Sequence, residues 1–294
     1  GWYGQPQQHR RGPLFRHHLT VDGRIRYDLY ILRMQDPTDL VTGAASLRRA
    51  GLYPRIEVGD GPIRKLFTQS GFALDDAFIV SRNNLYRLHY SFDTGDNLNV
   101  VAGEVNGFGP PSIVSTGGNM FIADGVTLQY TDGAAALQQI AMPDDVAPVS
   151  LCVVDEFVFI SIEQDLTTGH PGDQFYWINP SEVTVDPLNF ATAESKPDVL
   201  LQVMQLGDQL VLFGKDSTEF WYGTGDADLP FAPIQGRPFD RGVWSGTGVQ
   251  VNESLIVVGA DGRVYDVMAG ADPISTSGIE ERINRAMLIQ QIDG

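Results

Sequence analysis

The chain is predicted to be all-β, a β-propeller of four-stranded antiparallel blades, on three observations. From Gly61 onward, short apolar runs alternate with Gly, Asn and Asp turns. The runs come in groups of four. The groups repeat at 43, 38, 52 and 45 residues, measured between second-run anchors at Phe78, Phe121, Phe159, Val211 and Ile256. Four strands per roughly 40–50 residues is the signature of a propeller blade, which buries its faces only against its neighbours.

The clearest group runs through 199–206, 209–213, 217–222 and 231–235, with turns at Gly207-Asp208 and Gly214-Lys215-Asp216. The next repeats the plan at 246–251, 254–258 and 263–268, turning at Asn252-Glu253 and at residues 259–262. Gly, Asn and Asp tolerate the positive φ that tight hairpins require. Third-run aromatics follow each anchor, at Tyr86, Tyr130, Tyr176, Trp221 and Tyr265. The longest spacing comes from a polar insertion at 163–173. Five blades are visible, and helix is expected in under about a tenth of the chain, against a usual third. A closed ring usually has more than five blades, so closure is left open. A β-sandwich is the competing architecture, and the regular spacing argues against it.

Residues 1–60 form a different domain, a basic N-terminal segment with a possible strand pair or interface arm, and 61–294 form the propeller. Residues 24–32 alternate and end apolar, as a strand does, after a turn at 20–23. The chain opens on Gly1, which suits a processed or trimmed start. Residues 1–67 carry eleven Lys/Arg against six Asp/Glu, or +5, while the remainder carries −22. The acidic part is a poor candidate for gripping phosphates. The basic head holds His9, Arg10, Arg11, Arg16, His17 and His18. Arg10, Arg11 and Arg16 are its candidate contacts to DNA or an acidic partner, against a plainer reading as a solvated arm.

No run of eighteen apolar residues is present, so no membrane-spanning helix is expected. Secretion is unsupported, because no apolar signal core opens the chain. Cys152 is the single cysteine and lies in an apolar run, which excludes an intrachain disulfide and points to a buried, inert thiol. Folding in a reducing cytoplasm fits this. No catalytic, metal or cofactor site is expected. The histidines lack metal-binding spacing, and neither a Gly-x-Ser-x-Gly elbow nor a phosphate loop occurs. The turn at 91–97, with Asp93 and Asp96, resembles the Asp-box of sialidase propellers but occurs once. It leaves a carbohydrate-binding or glycoside-acting propeller as the alternative. Asp75-Asp76 and Asp144-Asp145 fall in turns, where solvated acids are expected, and 223–228 only faintly resembles a calcium loop. Trp2, Tyr3, Trp177 and Trp244 suit interface anchors or core.

The second half resembles the packaged-DNA stabilisation proteins, the tail hubs or nozzles of short-tailed bacteriophages. The resemblance rests on Asn189-Phe190-Ala191-Thr192-Ala193-Glu194-Ser195-Lys196-Pro197-Asp198, on Leu212-Phe213-Gly214, and on Ser217-Thr218-Glu219-Phe220-Trp221-Tyr222. It continues through Pro230-Phe231-Ala232-Pro233-Ile234-Gln235-Gly236, Arg241-Gly242, Asp261-Gly262-Arg263-Val264-Tyr265, and Ile274-Ser275-Thr276 to Ile279-Glu280. Earlier, Gly61-Pro62-Ile63-Arg64 and Asn84-Leu85-Tyr86-Arg87 also fit. The likeness spans about residues 47–283. The head before it matches nothing in the family, and family members usually continue beyond this end point. The resemblance implies a structural, non-enzymatic virion protein of the tail, made in the host bacterial cytoplasm. It implies a ring of copies, typically a hexamer, below the portal and adaptor. Such a ring extends the DNA channel, retains the packaged duplex without tight binding, and attaches a tailspike, fibre or plug. No cofactor and no membrane contact are implied.

Overall fold

The computed structural model describes residues 56–89, 96–193, 198–226, 230–236, 239–270 and 272–287 in full, and strands at 14–19, 25–32 and 52–57 and the helix end at 288–293 by backbone. The chain divides into two compact units, one of residues 1–68 with 76–101, the other of 69–75 with 102–294.

The first unit holds two antiparallel sheets. One is a meander of β1 (Leu14–Leu19), β2 (Ile25–Leu32) and β3 (Leu52–Glu57). The strand expected at 24–32 is β2, and the basic head supplies its hairpin partner, with Leu14 opposite Tyr30 and Leu19 opposite Ile25. The other sheet is a blade, β4 (Ile63–Phe67), β5 (Ala77–Ser81), β6 (Asn84–His89) and β7 (Asn97–Val101), built around buried Val58, Ile79 and Leu88.

The second unit holds four blades. The first comprises β8 (Ser112–Thr116), β9 (Asn119–Ala123), β10 (Leu128–Thr131) and β11 (Gln138–Ile140). Next come β12 (Pro148–Val154), β13 (Phe157–Ile162), β14 (Gln174–Ile178) and β15 (Phe190–Thr192). The third comprises β16 (Leu200–Leu206), β17 (Gln209–Gly214), β18 (Thr218–Gly223) and β19 (Phe231–Ile234). The last has β20 (Val249–Val251), β21 (Ser254–Val258) and β22 (Val264–Asp266), with a single bridge from Tyr265 to Pro273 marking where its fourth strand would run. Each blade is a meander of nearest neighbours. The five blades are of β-propeller type, as expected.

All five anchors lie on second strands, and all five aromatics on third strands. Second strands carry this signal because most of them are covered on both sides. Four or more successive residues are buried in β5, β9, β13 and β17. A strand buried on both faces loses its polar alternation and becomes continuously apolar. Between the first two blades of the second unit, Phe121 and Leu128 pack with Val158 and Ile160. Between the next two, Phe159 and Trp177 pack with Leu210 and Trp221. Between the last two, Val211 and Phe220 pack with Leu255, Val257 and Tyr265. Each fully buried Phe or Leu contributes about 1.5–3 kcal/mol, so these interfaces hold the blades together.

A second fastening was not visible in the sequence. The Ser112 hydroxyl accepts from the Leu151 amide at 2.9 Å and faces its carbonyl at 3.4 Å. Ser150 meets Val203 in the same way, at 3.2 and 3.4 Å. Gln202 then meets Gly248, accepting at 3.1 Å and donating at 3.5 Å. One polar side chain on the first strand of each of the first three blades of this unit thus ties the backbone of the blade that follows. Ser150 and Gln202 both sit beside a bulge, where the register shifts between Pro148 and Ser150 and between Leu200 and Gln202.

The propeller strands give way to α1 (Ser277–Asp293), the one α-helix among the described residues. The Thr276 carbonyl accepts from the Ile279 and Glu280 amides to start it. Asn284 lies over the turn at Gly262, where φ is +74° and a Cβ would fall 1.9 Å from the Asn284 Oδ1. Among the described residues no helix is long and apolar enough to cross a membrane.

Candidate functional site

Several of the residues that carried the family resemblance, Asp198, Arg241, Gly242, Asp261 and Tyr265, meet at the junction of the last two blades. Asp198 precedes β16, and its Oδ2 accepts from the Asp216 amide at 2.7 Å, the Ser217 amide at 2.8 Å and the Ser217 hydroxyl at 3.0 Å. The turn between β17 and β18 is thereby held from below. Gly242 presses on the same turn, where a Cβ would fall 1.7 Å from the Lys215 carbonyl oxygen. No side chain fits there, which is the physical reason for a glycine. The neighbouring Arg241 carbonyl accepts from Thr218 Oγ1 at 2.6 Å.

The Arg241 guanidinium lies 5.0 Å from the centre of the Tyr265 ring, a cation–π distance. Tyr265 is fully buried, and its hydroxyl donates to Asp261 Oδ2 at 2.6 Å. Burial, and then the Asp261 carboxylate, push the Tyr265 hydroxyl above the ordinary phenol value. On β18, Glu219 is buried and accepts from the Trp221 indole at 3.0 Å. Asp216, Asp240, Arg241, Gly242, Ala260 and Asp261 line a shallow depression of about 270 Å³. The family positions are thus mainly structural clamps. Phe190, about two-fifths exposed, and the exposed Gln235 and Gly236 lie apart from this cluster. Glu194 and Pro197 lie outside the described residues.

The other sequence candidates separate. Arg10 and Arg11 lie outside the described residues, as do Trp2, Tyr3 and His9. Arg16 is in β1, in register with Asp28. Asp93 is likewise outside, so the Asp-box reading gains nothing from the structure. Asp144 and Asp145 are exposed in a short 3-10 turn, as expected. Asp76 corrects the expectation of a solvated turn acid. Its carboxylate is buried, with one oxygen 2.6 Å from Arg87 Nε and the other 2.6 Å from His89 Nδ1. A buried carboxylate persists when it is paired and hydrogen-bonded, and here one charged partner and one imidazole do both. Trp177 is core, and Trp244 is half-buried. Cys152 is buried, and burial raises its thiol well above the ordinary value. Among the described residues no group of three or more His, Cys, Asp or Glu side chains is placed to hold a metal ion.

Comparison with known proteins follows the fold. Similar solved structures include a streptogramin B lyase, at 11% identity over 85% of this chain and 74% of that one, with a TM-score of 0.44. They also include Hsv2 of Kluyveromyces lactis, at 7% identity over 84% and 75%, TM-score 0.49, and the Dos1 propeller, at 13% over 88% and 73%, TM-score 0.47. At these values the likenesses carry no functional argument. No curated protein matches the sequence. Residues 68–288, most of the chain and all four blades of the second unit, match the family described as bacteriophage P22 Gp10, β-propeller. The chain therefore belongs to the bacteriophage P22 Gp10 β-propeller family and is a phage structural protein.

Proposed function

We propose that the chain is a tail hub, or nozzle, subunit: a ring of copies, six in the family's usual form, extends the DNA channel below the portal and adaptor. The ring retains packaged DNA until ejection and offers attachment points to a tailspike, fibre or plug. The observation that carries this reading is the family match across residues 68–288. The acidity of the propeller part supports it. Residues 68–294 carry a net charge of −22, so carboxylates facing the channel would repel phosphates. Such repulsion acts over about 8–10 Å at physiological salt and keeps a passing duplex centred and mobile. The chain then acts by assembly and not by turnover.

The test is reconstruction of the native particle by electron microscopy. Density for a ring of this propeller on the tail axis is expected, and a single copy or a position in the capsid shell would overturn the reading. Titration of labelled duplex DNA gives a second test. Weak or no binding near physiological salt is expected, whereas micromolar binding that falls steeply with added salt would mean several phosphate contacts and would sink the repulsive wall.

A further inference from the structure

The segment leading into β8 carries a residue pair with chemistry of its own. Asn106 is the only one of the chain's ten asparagines that is followed by glycine. The side-chain amide carbon of an asparagine is open to attack by the backbone nitrogen of the next residue. A side chain on that residue hinders the approach. Glycine has none, and it reaches backbone conformations closed to other residues. Gly107 takes one of these, at φ +65°.

The fold adds a second condition, a backbone nitrogen with no other engagement. Three Asp-Gly pairs of the same unit lack it. Gly125 donates to the Pro148 carbonyl at 3.2 Å, Gly133 to the Thr131 hydroxyl at 3.1 Å, and Gly262 to the Gly259 carbonyl at 2.9 Å. The Gly107 amide donates to no group among the described residues. It lies just past the last of three pins that hold the segment to its blade. The Ala102 carbonyl accepts from the Leu137 amide at 2.8 Å, and the Glu104 carbonyl from Gln129 Nε2 at 2.9 Å. The Asn106 amide then donates to Asp124 Oδ2 at 2.6 Å.

That last pin is the one a reaction at this pair would break. Asp124 is buried, and its carboxylate also accepts from the Val126 and Thr127 amides at 2.9 and 2.6 Å and from the Thr127 hydroxyl at 3.1 Å. It thereby fastens the segment to the turn between β9 and β10. A new carboxylate on residue 106 would stand beside this buried one, and two carboxylates in one site resist being charged together.

We propose that Asn106-Gly107 is a site of spontaneous backbone modification that releases the Asp124 clamp as the protein ages. The Gly107 nitrogen bonds to the Asn106 side-chain carbonyl carbon. Its proton leaves with the side-chain amide as ammonia, and a succinimide ring closes. Water then opens the ring. Breaking the bond from the nitrogen to the side-chain carbon gives aspartate. Breaking the bond from the nitrogen to the main-chain carbon gives isoaspartate, which routes the backbone through the former side chain and lengthens it by one carbon. Both products carry a new negative charge, and no oxidant or reductant is involved. An assembled particle cannot replace its subunits, so the change accumulates with time.

The experiment incubates the full chain, folded and in denaturant, for weeks at mildly alkaline pH. Peptide mass spectrometry, with enzymatic methylation of isoaspartate, reads conversion at each asparagine. In the folded chain Asn106 is expected to convert ahead of the other nine. The melting temperature of the converted protein should fall by about 2–4 °C, the scale of one hydrogen bond to a charged acceptor in a chain of this size. Hydrogen exchange should speed up at the Val126 and Thr127 amides. Asn106→Gln should keep its mass and its melting temperature over the same period, because the longer side chain closes its ring far more slowly. An Asn106 that stays intact in the folded chain while it converts in denaturant would overturn the site. Conversion that leaves the melting temperature and the Val126 and Thr127 exchange unchanged would overturn the release of the clamp. An Asn106→Gln variant that ages as the wild type does would place the cause elsewhere and overturn the proposal as well.

Discussion

Replacing Asp198 tests whether the family positions are clamps. Its Oδ2 accepts three hydrogen bonds from the turn at Asp216-Ser217, and Ser217 is buried. Asp198→Ala removes all three and leaves the Ser217 amide without this partner. An orphaned buried amide costs about 1–3 kcal/mol, and a hydrogen bond to a charged acceptor is worth about 1.5–3. Asp198 is itself only half-buried, so solvent recovers part of that, and a total of about 2–4 kcal/mol is expected. In a chain of this size that lowers the melting temperature by roughly 3–6 °C. Asp198→Asn keeps an acceptor, loses the charge and should cost about 1 kcal/mol. Gly214 gives an internal check, because a Cβ there would fall 2.2 Å from the Asp198 Oδ2. Gly214→Ala should therefore be less damaging in the Asp198→Ala background than in the wild type. Differential scanning calorimetry of the two single variants and the double variant reads both effects. A melting temperature for Asp198→Ala within about 1 °C of wild type, or strict additivity with Gly214→Ala, would refute the reasoning.

Three further outcomes are expected. Ser150→Ala should cost about 1–3 kcal/mol and speed hydrogen exchange at the Val203 amide, and an unchanged exchange rate there would remove the blade-to-blade tie. The Asp165 carboxyl is held down to about 2, first by the Thr167 hydroxyl and then by the Thr167 amide. Its turn should persist from neutral pH down past the ordinary carboxyl value of 3.8 and loosen as pH falls through about 2; an NMR titration with a midpoint at or above 3.8 would contradict this. Cys152 should resist thiol reagents in the folded chain and react fully in denaturant, since burial disfavours its thiolate; prompt labelling of the native protein would show otherwise.

The blade plan was legible because two-sided burial writes itself into consecutive apolar residues, as at Phe157–Ile162. The ties between blades were not. Ser112, Ser150 and Gln202 are ordinary polar strand residues, and their partners are backbone groups 39, 53 and 46 positions away. Asp76 was misjudged because a neighbouring Asp75 made the pair resemble a solvated turn, whereas its burial depends on Arg87 and His89 at the far end of a hairpin. Helix α1 went unforeseen because its polar residues and scattered Ile side chains draw no strong apolar stripe. The family positions were found by resemblance, but only the fold shows that Asp198, Gly242 and Tyr265 serve one junction.

The blades of the second unit share no strand ladder. Each is its own sheet, joined to the next by side-chain packing and a few hydrogen bonds. Under tension along the chain, such elements yield in series, since losing one sheet does not unzip its neighbour. Each sheet of some 45 residues pays out about 150 Å of slack when it goes. A blade that yields first therefore lengthens the chain and spares the blades farther from the point of pull.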